Sequence, residues 1–308
     1  MKNRNITIGR LIPNKAIAWN VVDDCIDFIQ DLTNGSYASI FDHPTLAFFK
    51  RLHDEFGIPT LMAMFYCKGY NVTDKTDTWN LSMATDAHIA EFQANSSWLK
   101  VQFHSWTYEV RYRTGYTGVQ NGVDYGRNAY DDWLTLKEQC LRIFGASSWY
   151  RDFWVPHFYD VRESEAQLLY TNESVRGLIG PTLNNMERKE ASYLPLSDFN
   201  NLMKYGVIQD RMVGMVHIAR NFATERVDGT LKTFWTPKHV IDYLNNYSHP
   251  LYRFQNPETH EIQIKNDSAS SFETYTTKHA LLDWGSWCME RNIRGAFPIA
   301  GDFDLIQY

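Results

Sequence analysis

The sequence predicts a parallel α/β architecture folded as one domain. Strand-type and helix-type runs alternate along the chain, the pattern of a parallel sheet with crossover helices. Four of the strand-type runs end on acidic or histidine residues, and functional side chains gather at the C-terminal ends of parallel strands. No internal repeat, low-complexity tract or linker divides the 308 residues, a length that a single α/β barrel reaches.

The elements follow in order. Ala16 to Asp24 reads as the first strand, an apolar run interrupted by Asn20 and ending in "VVDD". Pro44 to Phe56 reads as a helix. Pro44 suits its first turn, Leu46, Phe49, Leu52 and Phe56 share a face, and Gly57 stops it. "IPTLMAMFY" (Ile58 to Tyr66) is a buried strand, and a weaker helix over Ala84 to Ala94 leads to "WLKVQFH", a strand ending on His104. A long helix spans Asn128 to Phe144 with Gly145 behind it, and "DFWVPHF" is a fourth strand whose Pro156 marks its end. "SEAQLLY" is a short helix and Gly177 to Gly180 a short buried strand. The stretch at about 181–209 reads as an irregular insertion within a single domain of residues 1–308. "RMVGMVHIA" (Arg211 to Ala219) is a strand and Pro237 to Tyr247 a helix. "HEIQIKN" alternates as an edge strand or hairpin arm, and Lys278 to Asn292 is the last helix.

Composition excludes several functions. The formal charge of −6 with no Lys/Arg-rich block argues against a nucleic-acid binder. No apolar run of membrane-spanning length occurs. The N-terminal twenty residues lack the apolar core of a signal peptide, so the compartment is open, and cytoplasmic if Met1 is the native start. Cys25, Cys67, Cys140 and Cys288 lie far apart with no C-x-x-C pair, which speaks against a zinc knuckle or a disulfide framework. Phosphate-binding glycine loops and a G-x-S-x-G nucleophile elbow are missing.

What remains is a cleft of carboxylates and imidazoles. The first strand ends on Asp23 and Asp24, the third on His104, the fourth near His157 and Asp160, and a later one near His217. Adjacent strand residues point to opposite sides, so one of the two aspartates could ligate a divalent metal while the other acts as a base on water. A carboxylate and imidazoles suit zinc and, nearly as well, nickel, cobalt or manganese. Such an assembly hydrolyses an amide or ester.

The order "VVDDC", "GIPTLMAMFYCKG", "WLKVQFHSWTY" and "DFWVPHFY" resembles the polysaccharide deacetylases of the NodB-like (carbohydrate esterase) superfamily over roughly residues 16 to 160. The resemblance implies a distorted (β/α)7 barrel that removes acetyl groups from N-acetylated sugars with a bound metal. On that pattern Asp23 is the base, Asp24 a metal ligand, and His104 the first histidine of a His-Ser/Thr-x-x-His motif. The strand at His217 resembles the one whose histidine is the general acid, a role also open to His157. The pattern departs at Tyr108, which stands where the second ligand histidine belongs. Glu109 next to it could complete the site. It departs again at "WVPHFY", which keeps Pro156 and Tyr159 but lacks the arginine, for which Arg151 or Arg162 could substitute.

Aromatic residues cluster at the same strand ends. Trp106, Tyr108, Trp154 and Tyr159, with Tyr112 and Tyr116 nearby, are candidates to stack on sugar rings. Trp284 and Trp287, at i, i+3 spacing in a helix, read as packing, as does His279. Three readings therefore stand: a metal-dependent hydrolase acting on an acylated carbohydrate, a glycoside hydrolase with paired carboxylates, and a catalytically silent carbohydrate-binding barrel. Fold alone does not choose among them.

Overall fold

A computed structural model describes residues 16–71, 76–108, 110, 112–113, 127–182, 192–210, 212–227, 232–234, 237–246, 254–265 and 276–299. Seven parallel strands follow one another in chain order: β1 (Asn20–Cys25), β2 (Thr60–Phe65), β3 (Leu99–Ser105), β4 (Phe153–Trp154), β5 (Gly177–Thr182), β6 (Val216–Arg220) and β7 (Glu258–His260). β1 pairs with β2 and β2 with β3, Asn20 opposite Thr60 and Thr60 opposite Leu99. β4 pairs with β5 and β5 with β6. β7 returns to β1 with His260 opposite Asp23.

Two single parallel bridges join these ladders into a ring. Val101 bridges Trp149 on the approach to β4, where the Tyr150 amide donates to the Val101 carbonyl at 2.9 Å. Ala223, just past β6, bridges Glu258, with Thr224 donating to the Glu258 carbonyl at 2.8 Å. The result is the distorted (β/α)7 barrel expected from the sequence. Its distortion sits at these two seams, where one bridge replaces a ladder.

Helices cover the outside: α1 (Asp27–Asn34), α2 (Pro44–Phe56), α3 (Ile89–Ala94), α4 (Ala129–Phe144), α5 (Glu163–Asn172), α6 (Leu196–Tyr205), α7 (Pro237–Asn246), α8 (Glu261–Lys265) and α9 (Thr277–Glu290). Their ends follow local chemistry. Asn128 accepts the Asp131 amide at 2.8 Å as the cap of α4, and Gly57, at φ 68°, closes α2. Buried Leu, Ile, Phe and Trp side chains form one continuous core between helices and barrel. The four cysteines are all buried. Among the described residues no helix is long and apolar enough to cross a membrane.

Several elements differ from the expectation. The first strand breaks at Trp19 into Ile17–Ala18 and β1, because Ile17–Ala18 leaves the barrel to pair with Phe254–Gln255 and Arg294–Gly295. The stretch at 181–209, read as irregular, contains α6, whose buried face of Phe199 and Leu202 ends at Gly206 with φ 78°. The strand placed at Arg211 to Ala219 starts instead at Val216 and runs on to Arg220. "HEIQIKN" is not a hairpin arm: its first residue ends β7 and the next five form α8.

Gly177 lies where β4 and β6 press on β5. A Cβ there would collide with the Phe153 ring and the Val216 carbonyl oxygen. Gly177→Ala is therefore expected to destabilise the barrel by about 1–3 kcal/mol, the cost of overpacking. Urea unfolding measures it, and an unchanged midpoint would contradict this packing.

Candidate active site at the mouth of the barrel

The C-terminal ends of β1, β2 and β7 and the segment after β4 open into a cleft of about 530 Å³. Asp23, Asp24, His157, His260, Tyr108 and Phe158 are among its lining residues.

Asp24 sits at its floor with φ 58°, a left-handed backbone that few non-glycine residues adopt. This turn, with a register shift between Val22 and Cys25, swings the Asp24 carboxylate out of strand alternation and into the cleft. Three histidines face it. His104 Nε2 lies 3.2 Å and His157 Nε2 3.6 Å from Oδ1, and His260 Nε2 lies 4.0 Å from Oδ2. Burial alone would raise the Asp24 carboxyl, but the His104 contact and the positive charge available at His157, His260 and His104 hold it well below the usual carboxylate range.

Tautomers follow from the outer partners. His104 Nδ1 donates to the Val155 carbonyl at 2.6 Å, which leaves the Nε2 lone pair directed at Asp24. Both His104 Nε2 and Asp24 Oδ1 are buried, and neither has a hydrogen-bond partner. A lone pair and a carboxylate 3.2 Å apart repel unless a proton or a metal ion lies between them. Asp24, His104 and His157 each offer one ligand atom, all within 4.8 Å of one another. One carboxylate and two imidazoles are a donor set suited to zinc and related first-row ions. The residues present thus fit a divalent metal.

His157 enters this cluster in place of the residues after His104. Tyr108 keeps 49% of its surface exposed and packs its ring against His157 and Phe158. Glu109, expected as a ligand, lies outside the described residues, as does Tyr116. A second imidazole reaches Asp24 from the end of the next strand.

Asp23 also lines the cleft, with its carboxylate held from the barrel side. Arg220 holds both its oxygens, at 2.8 and 3.2 Å, and both side chains are buried. Arg220 stands on β6, whereas the arginines expected from the sequence have other partners. Arg151 is exposed beside Asp152, and Arg162 pairs with Glu165. Asp23, Glu258 and His260 also lie close enough to share an ion, but Arg220 occupies Asp23 and the Thr182 hydroxyl donates to Glu258.

His260 was not singled out in the sequence, because its segment reads as an edge strand. Gln263 Nε2 lies 3.0 Å from His260 Nδ1, and the Gln263 Oε1 accepts from the His260 amide at 3.3 Å. With Nδ1 accepting the amide N–H, the neutral ring carries its proton on Nε2, facing the cleft. Beside it, Glu261 accepts the amides of Ile26, Asp27 and Phe28 at 2.6, 2.8 and 2.5 Å and so caps α1 from the end of the neighbouring strand. Burial pushes its carboxyl up to about 7.

The remaining expectations need correction. His217, expected as the general acid, is absent from the cleft lining and fully buried. It is hydrogen-bonded to the Tyr159 hydroxyl at Nδ1 and lies 3.0 Å from the Tyr193 hydroxyl at Nε2. Trp154, expected to stack on sugar, is enclosed by Phe103 and Trp133 and offers no surface. Tyr159 is likewise buried. Trp106 is sandwiched between the Tyr66 ring, 3.8 Å away, and the Arg127 guanidinium, 3.4 Å away. Large aromatics at strand ends fill core before they face solvent. Among the expected sugar platforms, Tyr108 is the one that lines the cleft.

Burial pushes the His217 pKa down to about 3, against 6.5 for a free imidazole. Between these values the unfolded chain binds a proton that the folded chain refuses. The contribution of His217 is complete above about pH 6.5 and is lost as pH falls toward 3, by up to about 1.4 kcal/mol per pH unit. Urea unfolding from pH 7.5 to 4 should show this loss in the native chain and a flatter profile in His217→Gln. Parallel profiles would contradict a neutral buried His217.

The fold and site define a (β/α) barrel with an aspartate–histidine–histidine cluster at the C-terminal ends of its strands. No family model and no curated protein matches the sequence. Solved structures similar to the chain include carbohydrate esterase family 4 (CE4) proteins and polysaccharide deacetylases. The CE4 domain of a multidomain xylanase from a Trinervitermes trinervoides hindgut metagenome shares 9% identity at a TM-score of 0.43, covering 94% of this chain and 90% of that one. The catalytic domain of a peptidoglycan N-acetylglucosamine deacetylase from Eubacterium rectale shares 11% at 0.41, covering 97% and 94%. A CE4 family pseudoenzyme from Bacillus anthracis shares 9% at 0.41, covering 95% of this chain and 66% of that one.

Proposed function

We propose that this chain is a metal-dependent hydrolase that removes an acyl group, acetyl first among them, from an N-acylated carbohydrate. The observation that carries the reading is the convergence of Asp24, His104 and His157, with His104 Nε2 and Asp24 Oδ1 buried 3.2 Å apart and neither in a hydrogen bond. These three side chains would hold the ion. Bound there, a divalent metal supplies Lewis acidity toward the acyl carbonyl and lowers the pKa of water toward neutrality.

The chain's own groups do the rest. Asp23 accepts the proton of the attacking water, its carboxylate fixed in one orientation by the two Arg220 contacts. His260, protonated on both ring nitrogens beside Asp24, delivers its Nε2 proton to the departing nitrogen and is left as the neutral ring. Tyr108, Phe158 and Ile262 give one wall of the cleft an apolar face for a sugar ring, while Lys68 and Gln263 present polar groups to hydroxyls.

Acetate release from N-acetylglucosamine oligomers, measured with metal-loaded and chelator-treated protein, tests this reading. Asp23→Asn and His260→Ala are each expected to lower kcat by about 10²–10⁴, the usual worth of general acid–base groups, with metal content unchanged. Full activity in Asp23→Asn would refute the base, and full activity in His260→Ala the acid.

A further inference from the structure

His157 reaches Asp24 from an unusual backbone. The segment after β4 makes a tight turn in which the Tyr159 amide donates to the Pro156 carbonyl at 2.8 Å and the Asp160 amide to the His157 carbonyl at 3.0 Å. Within it Phe158 and Tyr159, neither of them glycine, both take left-handed conformations, at φ 54° and 60°. Two such residues in succession are unfavourable for L side chains and persist where the surroundings over-determine them. A turn left to itself would relax, and His157, next to Phe158, would leave the cluster.

The surroundings that hold the turn converge on Tyr159 and Asp160. The Tyr159 ring is buried against Gly180, where a Cβ would come within 3.0 Å of it. Its hydroxyl is hydrogen-bonded to His217 Nδ1, and His217 Nε2 reaches the Tyr193 hydroxyl at 3.0 Å. Asp160 accepts the amides of Tyr112 and Arg113 at 2.9 and 3.1 Å, tying the turn to the chain beyond β3. His217 is bonded at both ring nitrogens on a barrel strand, the most rigid support available, and Tyr159 stands two residues from His157.

We infer that His217 is a positioning residue: through the Tyr159 hydroxyl it holds the left-handed turn that carries His157 into contact with Asp24. The inference rests on the reading of Asp24, His104 and His157 as a metal centre. It gives the histidine of β6 a part in the site without access to the cleft, and it explains why a polar Tyr–His–Tyr chain occupies the core at this level of the barrel. The position of His157 beside Asp24 would thus depend on a hydrogen bond that touches neither residue.

Cobalt(II) titration of the metal-free full-length chain tests it, read by the visible ligand-field absorption as well as by affinity. Tyr159→Phe removes one oxygen, keeping the ring and its packing. It is expected to weaken cobalt binding at least tenfold and to shift the absorption band. His217→Gln, whose amide can still bond the Tyr159 hydroxyl, is expected to retain more of the native spectrum than His217→Leu. A role confined to stability would lower the unfolding temperature of all three variants while their folded fraction kept the native band. Native affinity and band in both Tyr159→Phe and His217→Leu would overturn the inference and leave the metal centre standing. Absence of cobalt binding in the unaltered chain would overturn both. Should Tyr159→Phe fail to fold, the order of the two His217 variants decides.

Discussion

Asp24→Asn is expected to cut metal affinity at least 100-fold and to reduce acetate release to background, while the fold survives. Asparagine tolerates the left-handed backbone that position 24 requires, at φ 58°. It nevertheless removes the charge that faces His104, His157 and His260. Asp24→Gly makes the contrast sharper. Glycine adopts that backbone at no steric cost, so the variant should gain about 1 kcal/mol from relieved strain and still bind no metal. Stability raised by loss of the functional side chain is the pattern of a site maintained at the expense of the fold. Thermal unfolding and a metal titration on the same samples measure both effects. Native affinity in Asp24→Asn would remove the aspartate from the site.

Arg220→Met should be the most destabilising single change in the barrel. It strips the guanidinium from Asp23 and removes a positive charge that also acts on Glu258, where both carboxylates are buried. Breaking a buried pair by removing one partner costs about 3–5 kcal/mol. Asp23→Asn with Arg220→Met should recover part of that loss, since an amide leaves less uncompensated charge. Urea denaturation of the single and double variants gives the coupling. A loss below about 1 kcal/mol in Arg220→Met would mean that water, not Arg220, solvates Asp23.

The sequence made the barrel legible where chemistry is local. Alternation of strands and helices, Pro44 and Gly57 around α2, and apolar runs ending in Asp23–Asp24 and His104 all declare themselves within a few residues. The site was half legible for the same reason. Asp24 and His104 stand at strand ends in the expected order, and His157 was marked by Pro156 but assigned to proton transfer rather than to the cluster. Three features stayed hidden because they are made at long range. His260 and Arg220 meet Asp24 and Asp23 across the closing seam of the barrel, more than 190 residues apart in sequence. Glu261 looks like a surface residue of an alternating strand until α1 is seen to need a cap. Trp154 and Tyr159 misled in the opposite direction. Their residue types suit sugar stacking, but burial is decided by neighbours such as Trp133 and Gly180 that periodicity does not place.

The central claim is that Asp24, His104 and His157 hold a divalent ion. Elemental analysis of purified protein, beside Asp24→Asn prepared identically, tests it most directly. About one equivalent of zinc or another first-row metal in the native chain, absent from the variant, is the predicted result. No metal in the native chain after incubation with excess zinc and removal of unbound ion would contradict it. The cluster would then be a protonated aspartate–histidine network, and the hydrolytic reading would fall.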